Sequence, residues 1–145
     1  MNTSFEFFPP KTEKGKENLV ELTKKLSRFS PEYFSVTFGA GGSTREGTLE
    51  TCVSIKNIGQ KACPHLSGIG AFKDSISEVL DEYKEHGLMR IVVLRGDLPS
   101  GIGGLGDFPY ALDLVKFIKQ VEGNFSIEIA AYPEVHPNAE SENSD

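Results

Sequence analysis

The sequence predicts an α/β fold in which parallel strands alternate with helices. Short segments of strand-like alternation or continuous apolar residues are separated by longer segments with helix-like apolar spacing, and the connections are mostly short. The resulting order, β-α-β-α-β-α-β-α-β, implies right-handed helical crossovers. This pattern fits either an open doubly wound sheet or part of a (β/α)8 barrel, and 145 residues supply only about half of a full barrel.

Five strands are predicted, most of them bounded by glycine, proline or polar residues. In the second strand, Phe34, Val36 and Phe38 alternate with Ser35 and Thr37, which indicates one apolar and one polar face. The fourth strand includes the continuous apolar run 91–94, a pattern typical of a strand buried on both faces. The predicted strands cover 4–8, 33–38, 62–67, 89–94 and 125–131.

Four helices are predicted from apolar residues spaced three or four positions apart. Ser43 with Glu46 three residues later indicates a capping box, so the second helix should begin at Ser43 and end near Ile58. The third helix should end near Gly87 and the fourth near Gly123. The apolar stripes of the first, third and fourth helices are Leu19, Leu22, Leu26 and Phe29; Ile76, Val79, Leu80 and Tyr83; and Ala111, Leu114, Val115 and Ile118.

Composition excludes several classes of protein. A formal net charge of −6 disfavours general binding to nucleic acid or to anionic membranes, and no apolar run is long enough to span a membrane. The N-terminus lacks the pattern of a secretory signal. Cys52 and Cys63 lie in no metal-ligand pattern, which favours reduced thiols in a cytoplasmic protein.

Functional residues should lie in the loops that follow the strands, since both candidate architectures place their sites there. Glu6 stands between two phenylalanines in the first strand. An apolar surrounding would favour its protonated form and make it a proton donor, whereas the alternative is a carboxylate on the solvent side of an edge strand. Arg95 and Asp97 follow the most apolar strand and form either a functional pair or a salt bridge within the loop.

Two glycine-rich segments are candidate phosphate loops. The segment 101–106, GIGGLG, has the spacing of a dinucleotide fingerprint, but it lies several residues after a strand and opens no helix, so we interpret it as a flexible loop. The segment 39–44, GAGGST, lies between a strand and a helix and could hold an anion on its backbone amides, or serve as a tight turn only. His65 and His136 have no neighbouring ligand pattern, so no metal site is predicted.

Four of these segments together resemble the strand-end motifs of the methylenetetrahydrofolate reductase family. They are SFEFFPPK at 4–11, SVTFGAGGSTR at 35–45, LRGD at 94–97 and AAYPEVHP at 130–137, in the family's order and across nearly the whole chain. The resemblance implies that residues 1–145 are the N-terminal part of a single (β/α)8 barrel that binds FAD. The implied reaction is the reduction of 5,10-methylenetetrahydrofolate with NAD(P)H, in which the nicotinamide passes hydride to the flavin and the flavin reduces the folate.

The resemblance also implies roles for individual residues. Glu6 matches the acidic residue that assists opening of the folate methylene bridge, and Asp97 matches an aspartate near the flavin and the pterin whose charge tunes the flavin. The other positions similar to flavin-contacting ones are Thr37, His65, Leu94, Arg95, Gly96, Tyr110, Ala111, Ala130, Tyr132, His136 and Asp145.

The chain departs from the family pattern in two ways. Ser67 and Gly68 stand where the family usually has Thr-Cys. The later strands, with a flavin-contacting Lys and the Gln and Phe that engage folate and nicotinamide, are missing, so the chain is expected to be truncated. Two hypotheses follow: the family activity, or an inactive half-barrel with weak or no flavin binding. We expect open strand edges to lead to self-association or to a partner that supplies the missing half.

Overall fold

The computed structural model describes residues 2–38, 44–97 and 104–131. It contains five strands and four helices in strict alternation, as the sequence predicted. The strands are β1 (Phe5–Phe7), β2 (Phe34–Val36), β3 (Ala62–Ser67), β4 (Arg90–Leu94) and β5 (Ser126–Ile129). The helices are α1 (Glu13–Ser27), α2 (Arg45–Asn57), α3 (Lys73–Glu85) and α4 (Ala111–Ile118).

The order of the strands decides between the two architectures that the sequence pattern allowed. All neighbours are parallel and the sheet order is β1-β2-β3-β4-β5, without the reversal that defines a doubly wound sheet. Consecutive parallel strands with right-handed crossovers place every helix on the same face. The fold is therefore an open part of a (β/α)8 barrel, with β1 and β5 at the edges of the described sheet.

The helix-covered face of the sheet carries the hydrophobic core. Phe34 and Val36 of β2 are fully buried there, and the rings of Phe5 and Phe7 in β1 stack on Phe34 at centroid distances of 5.8 and 5.6 Å. Ile91 belongs to the same cluster. The opposite face, which would line the interior of a closed barrel, is called the inner face below. Because side chains alternate along a strand, it receives Glu6, Ser35, Cys63, His65 and Val92.

Helix α1 buries only part of the predicted apolar stripe. Leu19 is buried and Leu26 packs against the core, but Leu22 is 45% exposed and Phe29 is 56% exposed. The buried position between the two leucines is Thr23, whose hydroxyl donates to the Leu19 carbonyl at 2.7 Å. That local bond satisfies the polar group and lets a threonine occupy the core-facing side of the helix.

Helix α2 begins one residue later than the predicted capping box. Its N-cap is Thr44, whose side chain accepts a hydrogen bond from the Gly47 amide at 3.1 Å, and Ser43 lies outside the described residues. Helix α3 confirms its prediction, because Ile76 and the other three stripe residues are all buried. Helix α4 ends at Ile118, five residues before the predicted stop at Gly123.

Strand β4 is buried on one face only, contrary to the prediction from its continuous apolar run. Ile91 and Val93 are buried, whereas Val92 and Leu94 are only partly buried on the inner face. The difference arises because the described sheet is open and no second half covers that face. In the described part of the chain, no helix is long and apolar enough to cross a membrane.

Candidate functional site

A short row of polar side chains crosses the inner face from β1 to β3. Glu6 is level with Ser35, and Ser35 is level with Cys63 in the register of the three strands. Two residues further toward the carboxyl ends of β2 and β3 lie Thr37 and His65, which therefore share this face. The predicted candidates Glu6, Thr37 and His65 are therefore brought to neighbouring positions on the same face.

Glu6 and His65 are in direct contact. The Nε2 atom of His65 lies 3.4 Å from Oε2 of Glu6. The histidine side chain is only 9% exposed, whereas that of Glu6 is 55% exposed. Burial lowers the pKa of His65 below its ordinary value, and the nearby Glu6 charge opposes this only in part. His65 is therefore predominantly neutral at pH 7, and the described residues do not give Glu6 the apolar surrounding that would make it a proton donor.

Thr37 and His65 each present a buried polar atom that makes no hydrogen bond to the described residues. These atoms are the Thr37 hydroxyl oxygen and His65 Nε2, whose contact with Glu6 is poorly aligned. The backbone of Thr37 is fixed on both sides, because its amide donates to the Phe7 carbonyl at 3.0 Å and its carbonyl accepts from the Thr48 hydroxyl at 2.9 Å. Buried polar atoms without a hydrogen bond are rare in folded proteins, and a ligand or a water molecule often supplies the missing partner. These two atoms are therefore available to a ligand or to water.

The loop after β4 holds the candidates Leu94, Arg95, Gly96 and Asp97. Arg95 makes no salt bridge to Asp97 within this loop, so that alternative interpretation is wrong. Its Nε instead donates to the carbonyl oxygen of Pro109 at 3.0 Å. Asp97 is exposed.

Arg95 thereby ties the loop after β4 to the start of α4, where Tyr110 and Ala111 lie. Tyr110 is the N-cap of the helix, is largely exposed, and immediately follows Pro109. Two groups of candidates that are separate in the sequence are thus joined through a single hydrogen bond. Ala130 follows β5 and is exposed. Tyr132, His136 and Asp145 lie outside the described residues, as does the glycine segment 39–43.

Gly96 adopts a backbone conformation and a contact that require glycine. Its φ angle is +79°, and a Cβ atom at this position would overlap the hydroxyl of Ser67. The loop after β4 therefore packs directly on the end of β3. Such a close approach leaves the backbone of the loop, rather than a side chain, facing the carboxyl end of the sheet at this residue.

The second half of the GIGGLG segment is anchored, whereas its residues 101–103 lie outside the described range. Leu105 accepts a hydrogen bond from the Gly70 amide at 2.9 Å, and the Asp107 amide donates to the Ala71 carbonyl at 2.8 Å. The Asp107 carboxylate accepts from the Lys73 amide at 2.9 Å, at the first turn of α3. The described end of the segment, 104–106, is therefore held in place rather than being a free loop.

Sequence reasoning missed an ion-pair cluster at the amino end of the inner face. Arg90 lies 2.9 Å from Glu32 and 2.9 Å from Glu128, with its guanidinium 5.0 Å from the ring centroid of Tyr33. It joins the loop before β2 to β5. The only sequence signal was a charge at the first position of an otherwise apolar strand.

Comparison with known proteins agrees with this architecture. The family model described as methylenetetrahydrofolate reductase matches residues 1–145. The chain belongs to the methylenetetrahydrofolate reductase family. It is 45% identical over 146 aligned positions to the 5,10-methylenetetrahydrofolate reductase of Pectobacterium carotovorum, covering 100% of this chain and 48% of that protein. To the enzyme of the same name from Escherichia coli it is 42% identical, with the same coverage.

A plant relative and a solved structure extend the comparison. The chain is 40% identical to the Arabidopsis thaliana protein named methylenetetrahydrofolate reductase (NADH) 1, over 93% of this chain and 24% of that protein. This member of the methylenetetrahydrofolate reductase family thus spans about half the length of its bacterial curated relatives. The crystal structure of Streptococcus suis SuiB matches with a TM-score of 0.53 at 13% identity, over 90% of this chain and 33% of that one, and supports the fold alone.

Proposed function

We propose that residues 1–145 form the N-terminal part of a reductase barrel that binds FAD and reduces 5,10-methylenetetrahydrofolate to 5-methyltetrahydrofolate. The main support is the pair of unsatisfied buried atoms, the Thr37 hydroxyl and His65 Nε2, beside the Glu6 carboxylate on the inner face. In the net reaction, NAD(P)H and one proton are consumed and NAD(P)⁺ is released. A bound FAD would supply the two-electron chemistry that links the nicotinamide to the folate.

The residues of this chain divide into two groups in this proposal. Thr37 and His65 would donate or accept hydrogen bonds at the flavin, because the Thr37 hydroxyl and His65 Nε2 make no hydrogen bond to the described residues. The backbone at Leu94 and Gly96 would contact the ring system, with Asp97 as a negative charge near it. The remaining proposed contacts are Arg95, Tyr110, Ala111, Ala130, Tyr132, His136 and Asp145.

Glu6 would donate the proton that the folate takes up in the reaction. Opening the methylene bridge of the folate leaves one nitrogen that must take up a proton, and a positioned carboxylic acid can deliver it. Oε2 of Glu6 lies 3.4 Å from the neutral His65 ring, and the glutamate side chain is 55% exposed. A substrate that covers this face would remove the water now able to reach Glu6.

Titration of the purified chain with FAD tests the flavin site. We expect flavin fluorescence to be quenched on binding and Thr37→Val to raise the dissociation constant by about five- to tenfold, the worth of one hydrogen bond. Thr3→Val is the matched control, because Thr3 is exposed and remote from the inner-face row. Colourless protein after gel filtration, with no quenching at high FAD, would contradict the proposal.

The alternative is a half-barrel without activity and with weak or no flavin binding. The 55% exposure of Glu6 and the exposed position of Asp97 favour it, because catalytic carboxylates work best when water is excluded. Adding a separately expressed C-terminal half of the Escherichia coli relative distinguishes the two functions. Flavin binding and folate reduction that appear only in the mixture would support the inactive half-barrel for this chain alone.

We also propose that another protein chain, a second copy or a complementary half, covers the open edges of the sheet. On the helix side of β5, a groove of about 380 Å³ lies against α4 and is lined by Lys119 and four apolar residues. Ile129 in this groove is largely exposed, and Val115, Phe125 and Ile127 also line it. Exposed apolar surface next to a free strand edge favours association. Light scattering that shows a stable monomer at high concentration would contradict this.

The proposed location is the cytoplasm. Cys52 and Cys63 are both free and buried, and burial raises the pKa of the Cys63 thiol to about 12. Such thiols are unreactive and fit a reducing compartment.

A further inference from the structure

We propose that Ser67 is a positioning residue that fixes the loop 94–97 for flavin binding. This inference rests on the proposed function for its consequence, although the positioning itself can be measured without flavin. Ser67 is the last residue of β3 and is not among the residues that the family resemblance assigns to the cofactor.

The hydroxyl of Ser67 holds the first peptide of this loop. It donates to the carbonyl oxygen of Arg95 at 3.0 Å, and the Ile69 amide donates to the same oxygen at 2.9 Å. The neighbouring Gly68 amide donates to the Leu94 carbonyl at 3.1 Å. Three donors from the end of β3 therefore fix two successive carbonyls at the end of β4, and only the hydroxyl comes from a side chain.

The same side chain limits how closely the loop can approach the sheet. Gly96 packs on Ser67 so tightly that a Cβ atom on Gly96 would overlap the serine hydroxyl. The Ser67 hydroxyl thus holds the Arg95 carbonyl through a hydrogen bond. Its oxygen also prevents Gly96 from coming closer to the sheet. Together these contacts fix the position of the peptide between Arg95 and Gly96, one residue before Asp97.

Arg95 connects this loop to the start of α4. The Arg95 guanidinium donates to the Pro109 carbonyl at 3.0 Å, directly before Tyr110. A shift of the Arg95 backbone would therefore move both flavin-contacting segments, 94–97 and 110–111. The residue acts through its neighbours, which is why it is a positioning residue and not a catalytic one.

The test compares variants of equal shape with and without the hydroxyl. Ser67→Thr keeps the donor and Ser67→Val replaces it by a methyl group, so any cost of the added methyl group is common to both. In the flavin-free chain, amide hydrogen exchange at Ile69 should be about five- to tenfold faster in Ser67→Val than in Ser67→Thr, the effect of one lost hydrogen bond. The amide of Leu88, bonded to the Tyr83 carbonyl far from this loop, is the internal control.

FAD binding by the same two variants tests whether the position of the loop 94–97 affects the flavin site. Ser67→Val should bind FAD about fivefold more weakly than Ser67→Thr and should shift the flavin absorption maximum, whereas Ser67→Thr should keep the wild-type spectrum. Equal exchange rates at Ile69 in the two variants would overturn the inference. So would equal FAD affinity and spectra in a wild-type background that does bind FAD. A wild-type chain that binds no FAD would refute the proposed function, and the exchange rates would still decide the role of Ser67.

Discussion

His65 Nε2 lies 3.4 Å from Glu6 Oε2, although the two residues stand on strands that are not neighbours. Strand β2 runs between them and presents Ser35 at this level of the inner face. Because a serine side chain is short, the glutamate and the histidine can meet above it. A larger residue at position 35 would separate the acid from the ring.

This contact predicts how His65 titrates. Its pKa is lowered by burial and partly restored by the Glu6 charge, so Glu6→Gln should lower it further. We expect the midpoint of the His65 ring proton signals in NMR to fall below that of the wild type, which itself lies below the ordinary value near 6.5. A midpoint that does not fall in Glu6→Gln would show that the Glu6 charge does not raise the pKa of His65 in solution.

The same shift makes stability depend on pH. The folded state resists protonation of His65, so the unfolded chain binds more protons below about pH 6.5 and the free energy of unfolding falls as the pH drops through that value. The loss should be larger in Glu6→Gln. Replacing the histidine by glutamine, His65→Gln, removes this dependence, and urea unfolding at pH 5.5 and 7.5 measures it. Equal slopes with pH in wild type and His65→Gln would refute this source of the effect.

Replacing Gly96 by alanine should destabilise the fold by more than backbone strain alone. Gly96→Ala adds left-handed backbone strain of about 1 kcal/mol and also a steric overlap with Ser67, so we expect a loss of at least about 2 kcal/mol in the free energy of unfolding. Gly59→Ala is the matched control, because its φ is +80° but no atom lies within 4 Å of the added Cβ. Gly59→Ala should lower the free energy of unfolding only by the cost of the backbone strain. Equal losses in the two variants, measured by urea unfolding, would mean that the contact with Ser67 is absent.

The alternation of strands and helices could be predicted because each strand and each crossover helix leaves its own local periodicity. The strand order could not, since a doubly wound sheet and a barrel share that local pattern and differ only in which strands pair. The position of Thr23 shows a second limit. Its burial depends on a hydrogen bond to Leu19 within one helical turn, which an apolar stripe does not encode.

The candidate site could be predicted only in part. The rule that function follows strand ends found Thr37, His65 and the loop after β4. Ser67 belongs to the same strand-end segment as His65, but its bond to Arg95 could not be predicted, nor could the bond from Arg95 to Pro109, because both join segments that are separated in the sequence. Whether Glu6 meets an apolar surrounding was likewise undecidable, since exposure depends on what covers the inner face.

The Arg90 cluster should stabilise the open sheet more than a surface ion pair does. Its guanidinium lies within 2.9 Å of both Glu32 and Glu128, and all three side chains are about one-third exposed or less. Arg90→Met keeps most of the apolar stem but leaves two carboxylates close together without a cation. We expect a loss of about 1–3 kcal/mol, between the values for exposed and buried pairs.

The control for this prediction is an ion pair in open solvent. Lys14 contacts Glu17 at 3.1 Å with both side chains more than two-thirds exposed, so Lys14→Met should leave the urea midpoint unchanged. Repulsion between the remaining carboxylates can be separated from loss of packing with the double variant Arg90→Met, Glu128→Gln. If repulsion dominates, the double variant is more stable than Arg90→Met alone, because one of the two uncompensated charges has been removed. A double variant that is less stable than Arg90→Met would show that Glu128 stabilises the sheet through contacts other than Arg90.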